Sequence, residues 1–536
     1  MPEVGTAAAP AAPELRRDID WRGAFWMASG VPALVLFSIG GIAATVGTPS
    51  YLVWTISALF GFVQAFTYAE IAGLFPGKSG GASVYGAAAW VRYSKLIAPL
   101  SVWCNWLAWS PVLAIGSGIA AGYVLTSLFA PDAAIRTWEI KLLDLGFIKS
   151  DLKLRLNSTF VIGAALLLVT FAMQHRGVMR AARVQAILGV AALLPLIVIA
   201  LVPLLTGDVA GSNLAPLLPL AGMDPAKNPL IGQWDKAGWT VFFGGLFLAA
   251  WSTYAFETAV CYTREFRDPG SDTFKAILAS GLMCVLVFSL VPLAFQGSLG
   301  LAAMLDPAIY DGSGVAQAMA KMVGGGAFIG RLIVVMLLLA LILSIVTAMA
   351  GSSRTLYQGS VDGWLPRYLG HVNDHGAPTA AMWSNLGFNL VLLLLSDYVF
   401  VLAVSNCCYL VFNFLNLNAG WIHRVDSPDV TRPWRAPDWL LGAGVVLAFV
   451  NAFLLGAGAK VYGDATLLTG VVAAALIVPV FLYRHYVTDK GRFPDQMLAD
   501  LGVDMNAPAA RRGGMRPYVT LVAGAALVVA ANLMFG

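Results

Sequence analysis

Along most of this chain the apolar residues do not alternate with polar ones. They run in long blocks parted by short polar stretches. A helix needs roughly 20 mostly apolar residues to cross the hydrocarbon core of a bilayer. Blocks near that length fall at 25–47, 51–75, 98–129, 157–173, 183–206, 239–262, 274–297, 329–350, 380–396, 400–419, 438–458, 465–483 and 517–535. Lipid cannot hydrogen-bond a backbone, so these blocks read as helices; barrel strands of about ten alternating residues do not fit them. The predicted fold class is all-α, a polytopic membrane protein with 12–13 transmembrane helices. The last block follows the polar stretch 486–516 and reads as a peripheral addition to a twelve-helix core.

Composition narrows the function. The chain has 536 residues, 59% apolar and 12% charged, where soluble proteins carry about 25% charge. A water-soluble enzyme is excluded. The five cysteines (104, 261, 284, 407 and 408) lie in or beside apolar blocks, with no spacing suited to zinc or a disulfide scaffold. The five histidines fall in loops or at span ends. His371 and His375 stand four apart, but Gly376 and Pro378 break any helix there. No phosphate-binding glycine loop is present. These readings predict no enzyme activity, no cofactor and no nucleic-acid partner.

The N-terminal stretch lacks the apolar core of a signal peptide and reads as a cytoplasmic tail. With that end inside, the inner loops hold 23 Lys and Arg and the outer loops 10. This bias predicts a multi-pass protein of the cytoplasmic (inner) membrane with its N-terminus in the cytoplasm. Five of the outer ten sit in the 130–156 loop, where Trp138–Leu143 reads as a small surface helix. The predicted domains are a tail (1–22), a ten-helix transport core (23–420), helices 11–12 (421–485), and a polar linker with the probable thirteenth helix (486–536).

Two spans carry irregular features. The first contains Ser38-Ile39-Gly40-Gly41-Ile42, read either as close helix packing or as a break exposing backbone N–H groups to a carboxylate. The sixth contains Gly244-Gly245, then Trp251-Ser252-Thr253-Tyr254-Ala255-Phe256-Glu257. A glutamate at that depth is costly unless it is paired or reached by water. It braces a broken helix, recognises a cation or carries a proton.

Three stretches together resemble the amino acid–polyamine–organocation superfamily, in its bacterial permease branch. They are Tyr68-Ala69-Glu70 through Phe75-Pro76 and Gly80-Gly81 to Tyr85; Ala255-Phe256-Glu257 with Glu265 and Pro269; and Ser353-Arg354 through Asp362-Gly363-Trp364-Leu365-Pro366 to Ala377-Pro378-Thr379. The resemblance covers roughly residues 20–485. It implies a five-plus-five inverted-repeat core with helices 1 and 6 unwound, and secondary active transport by alternating access. A substrate carboxylate would meet Ile39, Gly40 and Gly41, and its amine would meet Ala250, Trp251 and Tyr254. Ser110, before Pro111, is a further pocket residue. Glu70, Trp109, Glu257 and Tyr409 are the candidates for gating or coupling. In span 8, Ser344 and Thr347 form a sodium-site candidate, since sodium-coupled relatives use hydroxyls there. The 184–206 run lacks the lysine that some proton-coupled relatives carry. The aromatic, small-residue pocket favours a neutral or aromatic amino acid, by exchange or with H+; Na+ is the lesser option. The alternatives are a polyamine or cationic amino acid antiporter, a sodium symporter and a channel. A homodimer or a single-span accessory subunit is a possible partner, beside the lipid bilayer.

Overall fold

The computed structural model describes residue 15 and residues 17–536, apart from 177, 225–228, 311, 325 and 502–510. Most of the predicted tail, with Arg16, and part of the polar linker lie outside the described residues.

Helices stand at all thirteen predicted positions. Among the described residues, eleven segments are long and apolar enough to cross a membrane: Trp21–Val46, Ser50–Gly73, Ile97–Leu128, Ala182–Thr206, Lys236–Glu265, Pro269–Leu299, Phe328–Val361, Tyr398–Asp426, Asp438–Tyr462, Thr466–Thr488 and Arg516–Phe535. The other two are shorter, Ser158–Gln174 with 17 residues and Thr379–Leu393 with 15. Numbered in chain order these are spans 1–13. Five begin on an acidic or amide N-cap: Asp20, Asn157, Asp235, Asp268 and Asp397 each accept a backbone N–H from the first turn. Such a cap satisfies one of the donors that a helix start leaves open.

Loops alternate between two faces. On the tail face Ile19 pairs with Phe266; on the opposite face Gly47 pairs with Pro219 and Leu154 with Leu395. Span 1 is 94% buried over its apolar window and span 13 only 11%, so the first is central and the last peripheral. Span 13 lies along span 11, where a Cβ on Gly456 would stand 2.2 Å from the Val528 carbonyl.

Two expectations about local structure are corrected. Span 1 is interrupted, but not at Gly40-Gly41: helix ends at Met27, a turn follows, Pro32–Leu34 is 3₁₀, and Val35–Val46 is continuous α-helix. Pro32 has no N–H to give and its ring crowds the carbonyl four residues back, which breaks a helix more strongly than two glycines do. The stretch Trp138–Leu143 is not helical: a single turn of helix, Ala134–Thr137, ends on Trp138. Glu139–Asp144 (β1) pairs antiparallel with Lys153–Asn157 (β2). The strict alternation of Lys-Leu-Arg-Leu-Asn in β2 supplies the partner that turns the first stretch into a strand.

Span 6 is α-helical to Thr253 and continues as a 3₁₀ helix over Ala255–Glu265, with Tyr254 at the junction. Span 3 bends at Pro111, between helices Ile97–Trp109 and Val112–Leu128.

Candidate functional site

The interruptions in spans 1 and 6 lie side by side. The Ser38 and Ser252 hydroxyls are 3.5 Å apart, and the spans run antiparallel. The N-terminus of helix Val35–Val46 and the C-terminus of helix Lys236–Thr253 therefore come to the same depth. One end presents the positive pole of a helix dipole and the other the negative pole. The residues around them are buried: Phe37, Trp251 and Tyr254 are each at most 2% exposed. The Trp251 indole donates to the Ala108 carbonyl at 3.1 Å, and its ring lies 6.0 Å from that of Phe37. The Tyr254 hydroxyl donates to Asn451 Oδ1 at 3.3 Å, and its ring faces Tyr409 at 6.4 Å.

The break in span 1 is held by span 8. Gly30 N–H donates to the Thr347 hydroxyl at 3.2 Å, and the Ser344 hydroxyl donates to the Gly30 carbonyl at 2.9 Å. A Cβ on Gly30 would stand 2.5 Å from both the Leu343 carbonyl oxygen and Thr347 Oγ1, so this approach requires glycine. From span 5, the Gln185 carboxamide donates to the same Thr347 oxygen at 3.3 Å, while its own buried oxygen has no partner among the described residues. Ser344 and Thr347 thus meet the backbone of span 1, but their oxygens already bind the chain's own groups. An amide N–H points at the oxygen a sodium ion would need.

Glu257 sits in the 3₁₀ half of span 6, fully buried. Its Oε1 accepts from the Trp109 indole at 2.9 Å and from Asn105 Nδ2 at 3.2 Å. Its Oε2 and the Tyr409 hydroxyl make no bond to any other group among the described residues, and Tyr409 faces the Glu257 carboxyl from span 10. A carboxylate buried at this depth is costly to keep charged. Span 6 is thereby tied to span 3, with Tyr409 of span 10 beside the same group.

Other predicted residues have different surroundings. Ile39, Gly40 and Gly41 lie inside regular helix. A Cβ on Gly40 would come within 2.2 Å of the Ile309 carbonyl oxygen, whereas one on Gly41 would meet only Leu248, at 3.7 Å. Gly40 is a packing glycine. Ser110 donates to Asn385 Oδ1 at 2.5 Å and accepts from Asn389 Nδ2 at 2.7 Å, binding span 3 to span 9 at the Pro111 bend. Glu70 accepts from Arg424 at 2.6 and 2.8 Å, accepts from Ala436 N–H at 2.8 Å, and lies 3.1 Å from Arg432. Burial pulls the Arg432 pKa below its ordinary value, and Glu70 opposes that shift. With both oxygens engaged by cations, Glu70 clasps the tail-face ends of spans 2, 10 and 11.

Sequence reasoning missed Gly30, Pro32 and Gln185. The glycine and proline two apart in an apolar block were a legible break signal. Gln185 was not, because its importance comes from Thr347, 162 residues away.

Among known proteins, residues 19–481 match the amino acid permease family. The chain is similar to the branched-chain amino acid permease BcaP of Lactococcus lactis subsp. cremoris (strain MG1363), at 23% identity over 474 residues covering 83% of this chain and 91% of that one. It is also similar to the polyamine transporter PUT1 of Oryza sativa subsp. japonica, at 23% identity over 457 residues covering 84% and 74% of the two chains.

Proposed function

We propose, from the premise that this chain belongs to the amino acid permease family and is a multi-pass membrane transporter of a small amino-acid- or amine-like solute rather than an enzyme, that it carries a neutral or aromatic amino acid by alternating access. The core is read as a five-plus-five inverted repeat in a bacterial cytoplasmic membrane, with the N-terminal tail inside. The observation that carries this reading is the pair of half-helix ends at one depth, Val35 at an N-terminus and Thr253 at a C-terminus. A zwitterion matches such a pair: its carboxylate faces the start of helix Val35–Val46 and its ammonium the carbonyl end of helix Lys236–Thr253. It does so through the dipoles of the two ends rather than through the Gly30 N–H, which serves Thr347. Trp251, Phe37 and Tyr254 enclose the side chain, and Trp109, Glu257 and Tyr409 link the pocket to spans 3 and 10.

The bonds of Gln185 and Gly30 to Thr347 favour exchange or proton coupling over sodium symport. Uptake should be the same in sodium and choline media; a sodium requirement would reverse that preference. Oε2 of Glu257, which Trp109 and Asn105 do not engage, is the group through which a proton would act. The same oxygen favours a second reading, a cationic amino acid or polyamine, in line with the likeness to PUT1.

Competition distinguishes the two. Labelled uptake should be blocked by neutral or aromatic amino acids, and far less by their N-acetyl and carboxamide derivatives, which lack one charge. Block by diamines, which have no carboxylate, would favour the second reading and remove span 1 from substrate recognition.

A further inference from the structure

The β1–β2 hairpin is not an appendage. Arg155 N–H donates to the Leu394 carbonyl at 2.8 Å, Ser396 N–H to the Lys153 carbonyl at 3.0 Å, and Lys153 N–H to the Ser396 hydroxyl at 3.0 Å. Lys149 also pairs with Asp397, the N-cap of span 10. The hairpin is therefore laced to the turn between spans 9 and 10. Beneath it lies a cavity of about 290 Å³, walled by span 3, the start of span 4, the span 9–10 turn and Ser313. This is close to the roughly 300 Å³ at which small-molecule pockets begin.

The cavity is two-sided. Ile115, Ile119, Leu392 and Leu393 make an aliphatic wall, and Arg155 is the charged residue of its lining. The surrounding ion pairs leave Arg155 under-neutralised. Glu139 is shared between it, at 2.8 Å, and Lys153, which also faces Asp144, while Arg155 Nη2 donates to the Ser396 carbonyl only at 3.5 Å. Arg155 keeps about a third of its side chain exposed, at 32%. Room comes from span 3: a Cβ on Gly118 would meet only Leu393 at 3.6 Å and Thr159 at 4.0 Å. The floor, Ala114, lies one helical turn beyond Ser110, about 7.5 Å along the axis from the Trp109 that binds Glu257.

We propose that this cavity is a vestibule site for the transported amino acid on the hairpin face, holding its carboxylate on Arg155 and its side chain against the aliphatic wall before it reaches the central pocket. The proposal rests on the transport reading above. An arginine fork suits a carboxylate, and a partly desolvated site makes the contact count.

The test measures half-saturation from each face separately, in intact cells and in inverted vesicles from the same cells, across the twenty proteinogenic amino acids. Arg155→Ala should raise KM about tenfold, the cost of one charged contact, with kcat unchanged. The rise should appear in only one of the two preparations, and Arg155→Lys should restore part of it. Gly118→Leu, which fills the cavity without touching a hairpin bond, should give the same one-sided rise, and it decides the matter if Arg155→Ala does not fold. An unchanged KM on both faces, or an equal rise on both, overturns the site. If the wild-type protein takes up none of the twenty amino acids, the transport reading falls first and this proposal with it.

Discussion

Gly30 and Gly41 are alike in sequence and opposite in surroundings. A methyl on Gly30 would overlap the Leu343 carbonyl and the Thr347 hydroxyl, while one on Gly41 enters ordinary contact with Leu248. Gly30→Ala should therefore cost about 1–3 kcal/mol of stability by overpacking and abolish high-affinity uptake. Gly41→Ala should retain both. Thermal unfolding in detergent with parallel uptake checks the pair, and the reverse ranking would return the carboxylate to Ile39–Gly41. The two glutamates separate in the same way. Glu70→Gln leaves Arg424 and Arg432 short of a buried counter-charge and should lower stability by about 3–5 kcal/mol without altering the pH profile of transport. Glu257→Gln should leave the fold intact and flatten the pH dependence of net uptake. A pH profile matching the wild type would remove Glu257 from coupling.

The elements were legible where length alone decides. Every apolar block became a helix, because backbone satisfaction in lipid leaves little choice. Where two local rules competed, the reading slipped. Gly40-Gly41 could be read as close packing or as a break in span 1; Pro32 removes an N–H outright where the helix is interrupted, and Gly40 packs against Ile309. The Trp138–Leu143 stretch passed for a helix because the strand that pairs with β1 begins only nine residues after β1 ends. The pairings that define the pocket, Trp109 to Glu257 and Gln185 to Thr347, join residues 148 and 162 apart and leave no local trace. The hairpin also carries a pH signature. Lys153 and then Arg155 hold the Glu139 carboxyl below the usual carboxylate range. Its contribution to the hairpin is fully present above the unfolded value of about 4.3 and lost as pH falls through the depressed folded value. Hydrogen-exchange protection factors over residues 139–157, each taken against the intrinsic rate at that pH, should therefore be unchanged from pH 7 to 5 and fall in stronger acid.

Across the whole molecule, two faces are fastened differently around one buried centre. On the tail face Lys78 meets Asp362 at 2.6 Å and Arg354 grips Glu265, joining the span 2–3 loop and spans 6 and 8 with buried charge. On the other face the hairpin holds the span 9–10 turn. Alternating access requires these fastenings to open in turn while the half-helix ends hold a zwitterion between them. Counterflow in proteoliposomes tests that claim most directly. Liposomes preloaded with unlabelled amino acid and diluted into a trace of the labelled one should accumulate label transiently, in sodium-free buffer with no pH gradient, and saturably. Label that enters linearly with concentration, with no overshoot from the internal pool, would mark a channel and contradict the account.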